Sequence, residues 1–387
     1  MKKLAVILVA MMMLASYALA DEPAYEGVAG EFYANMGVGW NLGNSLDSTG
    51  DWLKTGLGTP SSYETAWGNP VITPELIQTV KDAGFGTIRL PVTWMNQIGP
   101  APDYAVKGAW MNRVQQVVDM VLDAGLYCII NVHHDTGTDG WLHASDQDVK
   151  EDSDRFEALW RQIAERFRDY DDHLVFEGFN EILDERNNWV YTRKQSAKDA
   201  VNHFNQLFVD TVRATGGQNA NRCLIVNPYA ATNDINALRD FVMPTDSAEH
   251  ALVFEFHYYS PNSYCFDREG NNNTQTVWTQ NRGRESLETA LRGVSELFTS
   301  QGVPAIMGEF AASHKDNEAD RAEWAKFVVD TCAQSGVKCI WWDNGGKVTS
   351  VDAYNTMGLL DRYKLEWLFP QVVEALTGVT VTNVSAK

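Results

Sequence analysis

The chain is short of positive charge. Of its 387 residues, 31 are Lys or Arg against 51 Asp or Glu, for a formal net charge of −20. Such a surface repels phosphate backbones and anionic membranes, so nucleic acid is a poor partner while neutral polymers remain acceptable. Cysteine is scarce as well, with five in total: Cys128, Cys223, Cys265, Cys332 and Cys339. No Cys-x-x-Cys pair occurs, which argues against a zinc knuckle or a thioredoxin-like site. Cys128, Cys223 and Cys339 lie in or beside apolar runs, where a buried, inert thiol is expected. Cys332 and Cys339 are the pair close in sequence that an oxidising compartment could bridge. There is no Ser/Thr/Pro-rich linker and no low-complexity segment, so no appended module is expected. Beyond the first residues there is also no run of about 18 apolar residues, which excludes a membrane-spanning helix.

What is present starts at the N-terminus. Lys2 and Lys3 precede the apolar run Leu4 to Leu14, and Ala18-Leu19-Ala20 provides small residues ahead of Asp21. That order reads as a bacterial export signal over residues 1–20, too short and wrongly flanked to anchor the protein. A secreted or periplasmic mature chain, residues 21–387, is therefore expected. Thirteen Trp exceed the usual demand of packing. Their flat apolar faces with a polar tip suit stacking on sugar rings.

From Met36 the chain alternates β-rich runs with amphipathic helical stretches. Strands are expected at 37–42, 86–92, 127–132, 174–179, 223–227, 252–258, 305–309 and 338–342. Helices are expected at 74–83, 110–124, 153–170, 199–215, 287–300 and 320–335. Thr73-Pro74 offers a cap followed by proline in the first turn, and Gly84, Gly125 and Gly336 mark helix exits. Eight strand–helix units with near-continuous apolar strands predict an α/β fold, a (β/α)8 TIM barrel with a single catalytic domain and a core at about 31–375. The longest irregular stretches, 47–70, 134–149, 184–192 and 260–284, follow strands and so fall on the C-terminal face, where such barrels build their sites. They carry Trp52, Trp67, Trp141, Trp189, Tyr264 and Trp278.

Polar and aromatic residues recur at those strand ends: Asn41 and Asn44, Arg89, His133-His134, Asn180-Glu181, Asn227, His257-Tyr258-Tyr259, Glu309, and Trp341-Trp342. Glu181 and Glu309 each stand where a buried run gives way to a loop. Two carboxylates from different strands are the minimum equipment for cleaving a glycosidic bond. Glu177 and Glu255 also lie in apolar strands. At ~3.3 Å per residue they sit roughly 13 Å below the rim, where buried partners rather than substrate are expected.

The stretches Gly39-Trp40-Asn41-Leu42-Gly43-Asn44, Ile88-Arg89-Leu90-Pro91-Val92, Asn131-Val132-His133-His134, Phe179-Asn180-Glu181, Phe256-His257-Tyr258-Tyr259 and Met307-Gly308-Glu309-Phe310 follow one another in this order. Together they closely resemble glycoside hydrolase family 5, the bacterial cellulase-type family of (β/α)8 retaining β-glycosidases. Tyr63 to Pro70 and Trp341 to Gly345 are similar to its subfamily 4, the endo-β-1,4-glucanases. The resemblance implies Glu181 as general acid/base and Glu309 as nucleophile. It further implies that Arg89 and Tyr259 hold Glu309, that His257 orients or polarises Glu181 or bonds to substrate, and that Asn180 and His133 bind sugar hydroxyls above a Trp342 platform. His133 and His134 are adjacent, so alternation turns only one of them into the cleft. His134, Asn44 and Trp67 are further candidates for substrate contact, as are Asp47 and Asn227, while Trp141 and Trp189 are candidates for outer subsites.

The substrate this implies is a β-1,4-glucan polysaccharide, with mixed-linkage glucan, xyloglucan, xylan or mannan as alternatives. No cofactor or metal is implied, and a monomer is expected. A metal-dependent barrel hydrolase is disfavoured because His133 and His134 are adjacent rather than two apart. A non-catalytic glycan-binding barrel is disfavoured because both carboxylates are kept.

Overall fold

A computed structural model describes residues 25–53, 58–266, 275–278, 280–345 and 356–381. The expected export signal lies outside the described residues, as do parts of the 47–70 and 260–284 loops. No helix among the described residues is long and apolar enough to cross a membrane.

Eight parallel strands close into a barrel in chain order. They are β1 (Gly39–Leu42), β2 (Thr87–Leu90), β3 (Tyr127–Asn131), β4 (Leu174–Glu177), β5 (Leu224–Val226), β6 (Leu252–Tyr258), β7 (Ala305–Phe310) and β8 (Val337–Asp343). Every one overlaps an expected strand. Both faces of each are covered, which is why their sequences read as apolar runs rather than alternating ones. The barrel closes where Gly39-Trp40-Asn41 pairs with Thr87-Ile88-Arg89 on one side and Ile340-Trp341-Trp342 on the other.

One helix, α1 (Gly27–Asn35), precedes the barrel; short helices occur in the loops at Pro60–Glu64, Asp146–Glu151 and Asn262–Cys265, and one main helix follows each strand in turn. These are α2 (Pro74–Asp82), α3 (Gly108–Asp123), α4 (Ser153–Arg166), α5 (Gln195–Ala214), α6 (Ile235–Asp240), α7 (Gln280–Leu297), α8 (Glu318–Gln334) and α9 (Pro370–Thr377). At α2 the Thr73 hydroxyl accepts from Leu76 N–H at 3.3 Å and Pro74 occupies the first turn, as its sequence predicts.

The barrel interior is layered. Ile129, Val175, Ile225, Val253, Ile306 and Ile340 form a fully buried apolar floor, and Ala29 and Phe32 of α1, with Met36 just past its end, close it from below. Two residues further along each strand, the same inward parity presents Asn131, Glu177, Asn227, Glu255, Gly308 and Trp342. The fold therefore stacks a polar layer directly on the apolar one, at the end where the strands open into loops.

The structure corrects one expectation about the cysteines. All five are buried free thiols, so Cys332 and Cys339 do not form a disulfide. Burial and the neighbouring Cys339 push the Cys332 thiol well above its ordinary pKa. Both residues behave as small apolar groups between α8 and β8.

Candidate active site

Arg89 is the keystone of the polar layer. It is completely buried on β2, and all five guanidinium N–H donors find acceptors. Nε and one Nη2 proton reach the two Glu177 oxygens at 2.6 and 2.7 Å. The other Nη2 proton goes to Asn180 Oδ1 at 2.9 Å, and Nη1 donates to Asn41 Oδ1 at 2.9 Å and Glu309 Oε1 at 2.7 Å. One side chain thus ties β1, β2, β4 and β7 together. It also shortens the separation the sequence suggested: Glu177 and Glu309 share a single guanidinium, so along-strand spacing overstates their distance. Burial alone disfavours the Arg89 charge, but Glu177, Glu255 and Glu309 outweigh it and raise its pKa well above the ordinary value.

Glu309 reaches the axis because β7 carries a bulge. Against β6, the register runs Phe256 to Met307 and then His257 to Glu309, which leaves Gly308 as the extra residue. Without that shift, parity would turn Glu309 away from the cleft. Both of its oxygens are held, Oε1 by Arg89 and Oε2 by the Tyr259 hydroxyl at 2.8 Å. Burial raises the Glu309 pKa and the Glu181 charge adds to this, while His257 and Arg89 pull it down. Burial, with the charges of Glu309 and Glu181, raises the Tyr259 hydroxyl well above 10, so it stays a donor.

Glu181 follows β4 and is less enclosed. Its Oε1 lies 2.8 Å from Nδ1 of His257. That nitrogen is also 3.6 Å from Glu309 Oε2, while Nε2 is 3.6 Å from Glu255. Burial opposes a charged His257, yet the Glu309 charge and contacts with Glu181 and Glu255 prevail and lift its pKa to about 10. Glu181, His257 and Glu309 each place a side-chain ligand atom within 4.8 Å of the other two.

His133 is a neutral imidazole of defined tautomer. Val92 N–H donates to Asn131 Oδ1 at 3.1 Å, which fixes the Asn131 amide so that Nδ2 donates to Glu177 and to His133 Nδ1 at 3.0 Å. Nδ1 is thereby an acceptor and Nε2 carries the proton. Burial lowers the His133 pKa, and His134, Arg89 and His257 lower it further. Its ring lies parallel to Trp342, with centroids 5.7 Å apart.

These groups open onto one cleft of about 850 Å³. Glu181, Glu309, Asn180, His257, Tyr259 and Trp342 line it, and so do both His133 and His134. The expectation that only one histidine would face the cleft fails because β3 ends at Asn131, after which strand alternation no longer governs direction. Trp341, by contrast, turns away and packs on Phe310 and Trp324.

Other candidates lie elsewhere. Asn44 takes a left-handed backbone in the turn after β1, and its N–H is bonded by Asp47, which also accepts from Ser45. Trp67 donates to Thr49 O and sets its edge against His134 without lining the cleft. Asn227 spends its amide on the carbonyls of Phe179 and Asn180. Trp141 binds Asp135 and stacks under Arg155, while Tyr264 and Trp278 join the core. Trp189, 55% exposed, does border the cleft.

Sequence reasoning overlooked the wall after β5, where Ala230, Ala231, Thr232 and Asn233 line the cleft. Ala230 and Ala231 have φ of 53° and 42°, a conformation that alanine adopts rarely and at a cost. Position just past a strand end was the available signal; residue type gave none.

Among the described residues three groupings have metal-ligand chemistry: an exposed one of Asp171, Asp172 and His173, and two at the cleft, Glu181, His257 and Glu309, and Asp47, His133 and His134. Neither cleft set suits an ion. Both nitrogens of a protonated His257 face carboxylates, and Asp47 already accepts two backbone N–H groups.

The model of the cellulase family, glycosyl hydrolase family 5, matches residues 46–348. Endoglucanase A of Clostridium longisporum is 37% identical over 349 residues, covering 90% of this chain and 65% of that protein. The chain thus spans less than two thirds of that relative. Among solved structures, a GH5-4 broad specificity endoglucanase from Ruminococcus champanellensis with bound cellotriose superposes with a TM-score of 0.83 at 39% identity, covering 92% of this chain and all of that one. A glycoside hydrolase 5 lichenase from Caldicellulosiruptor sp. F32 in complex with cellotetraose gives 0.85 at 32% identity, covering 98% and 100%.

Proposed function

Because the chain belongs to glycosyl hydrolase family 5, we propose that it is an exported, monomeric endo-β-1,4-glucanase that acts by double displacement with retention. The observation that carries this reading is the pairing of Glu181 with Glu309, an oxygen of each lying within 4.8 Å of the other. Retaining glycosidases hold their carboxyl groups about 5–5.5 Å apart, whereas inverting ones need about 6.5–9.5 Å to admit a water.

In the first step a Glu309 oxygen bonds to the anomeric carbon as the bond to the leaving oxygen breaks. Glu181 gives that oxygen its proton. Arg89 and Tyr259 aim Glu309, and His257 engages Oε1 of Glu181, which leaves Oε2 to carry the proton. In the second step water gives a proton to Glu181 and its oxygen to the anomeric carbon, releasing Glu309. Asn180, whose Oδ1 is taken by Arg89, keeps its N–H2 for the sugar 2-hydroxyl. His133 offers Nε2–H to another hydroxyl beside the Trp342 ring. The similarity to enzymes bound to cellotriose and cellotetraose supports a β-glucan substrate.

Proton NMR of the first product settles the stereochemistry: the new reducing end should appear as the β-anomer, and an initial α-anomer overturns the proposal. The lichenase likeness favours mixed-linkage glucan as the second reading. Initial rates on carboxymethyl-cellulose, lichenan, xyloglucan and mannan decide it, and a tenfold preference for mannan overturns the glucanase assignment.

A further inference from the structure

Glu255 is buried without a hydrogen-bond partner for either oxygen. An orphaned buried carboxylate is costly and calls for a reason. Its nearest polar groups are both cations, Arg89 Nε at 3.5 Å and His257 Nε2 at 3.6 Å. His257 Nε2 likewise has no hydrogen-bond partner. The two face one another as an ion pair from same-face positions two residues apart on β6.

The strand alongside makes room for it. A Cβ on Gly308 would lie 1.5 Å from Glu255 Oε1 and 2.5 Å from its carboxyl carbon. Gly308 is also the extra residue of the bulge that turns Glu309 inward. One residue therefore supplies both the space that seats Glu255 and the shift that aims the proposed nucleophile.

The surrounding charges explain what such a carboxylate does. His257 is faced by Glu181 from the loop after β4, Glu309 from β7 and Glu255 from below. Arg89 reaches the same Glu255 carboxylate, the neutral His133 feels the His257 charge, and Tyr259 lies two residues along. Arg89 is committed bidentately to Glu177. Arg89 therefore meets Glu255 only at ion-pair distance and shares it with His257.

We propose that Glu255 is a positioning residue for the acid/base: it holds His257 doubly protonated from beneath, so that His257 always donates its Nδ1–H to Glu181, and Gly308 is required to admit it. This rests on the reading of Glu181 as acid/base. With Glu255 neutralised, His257 would lose one of its three counter-ions and hold its second proton less firmly. Wherever the ring becomes neutral, Glu181 would receive a proton from Nδ1 only in one of two tautomers.

The test compares Glu255→Gln on two substrates. On β-glucan, whose leaving group needs protonation, kcat/KM should fall about 10–100-fold, less than the roughly 10²–10⁴-fold that a general acid itself contributes. On 2,4-dinitrophenyl β-cellobioside, which leaves without assistance, kcat/KM should fall less than about threefold, because only the acid function is impaired. Weaker protonation of His257 reduces the positive charge beside Glu181, so the alkaline limb on polymer, set by loss of the Glu181 proton, should move up, and Glu255→Asp should restore it. Equal losses on both substrates, or an unmoved limb, overturn the proposal. Glu181→Ala on the same pair keeps the premise separate: if it does not spare the activated substrate, the acid/base reading itself fails. Nitrogen-15 NMR of the wild-type imidazole needs no variant. Both His257 nitrogens should be protonated at pH 8, and a neutral ring there refutes the proposal.

Discussion

Two buried arginines occupy opposite ends of the barrel and show what separates scaffold from site. Arg222 precedes β5 at the closed end, and Arg89 lies on β2 at the open end. Each satisfies five donors. Arg222 gives them to Asn219 Oδ1 and to the carbonyls of Asp171, Leu174, Phe167 and Tyr170, all at 2.7–3.0 Å. Those acceptors are neutral, and burial lowers its pKa to about 10. Arg89 gives its donors to two carboxylates and two amides, and its pKa rises. The hydrogen-bond count is the same. At one end the guanidinium stitches loop backbone together, and at the other it governs the charge state of groups that face substrate.

The largest expected effect follows from removing the upper arginine. Arg89→Met leaves Glu177 buried and uncompensated and frees one Glu309 oxygen. We expect kcat/KM on β-glucan to drop about 10²–10³-fold and unfolding stability to drop about 3–5 kcal/mol. Steady-state kinetics with urea unfolding measures both. Activity retained within tenfold would mean that Arg89 is scaffold, as Arg222 is.

Arg222→Met should separate the two quantities. Four carbonyls lose their donor, which should cost about 2–4 kcal/mol of stability. Well below the unfolding transition, kcat and KM should stay within about twofold of wild type. A larger loss of kcat with unchanged stability would break the contrast between the two ends.

The same contrast governs what the sequence made legible. The open end was readable because its chemistry is written in residue type at strand ends: Asn180-Glu181, His257, Tyr259 and Glu309 punctuate apolar runs. All eight strands were readable for the same reason, since burial on both faces leaves continuous apolar stretches. The closed end was not. Helix α1 begins Gly-Val-Ala-Gly with no capping side chain, so nothing local marks it, and its role as a plug exists only in three dimensions. Helix α9 did carry signals, Pro370 in its first turn and Gly378 beyond its end, which the alternating pattern overshadowed. The β7 bulge is invisible in Ala-Ile-Met-Gly-Glu-Phe except for Gly308. Aromatic loop residues misled for a general reason: Trp67, Tyr264 and Trp278 have the same composition signal as Trp189, and only packing decides which ones meet solvent.

The subtlest expected effect lies in the pH profile, where the two arginines should differ in whether the acid limb moves at all. Glu309 must be ionised to attack, and its pKa is raised above 4.5, first by burial and then by Glu181. Activity should therefore be lost as pH falls through a value above 4.5, so the acid limb of kcat/KM sits higher than an ordinary carboxylate would place it. Arg89 opposes that rise by favouring the anion. Removing its charge in Arg89→Met should move the acid limb of the residual activity further up, whereas Arg89→Lys, which keeps a cation, should move it less. Arg222→Met should leave the limb in place, because its guanidinium contacts only neutral groups and none near Glu309. An acid limb that moves equally in Arg89→Met and Arg222→Met would show that general loosening of the barrel, not the charge beside Glu309, sets its ionisation.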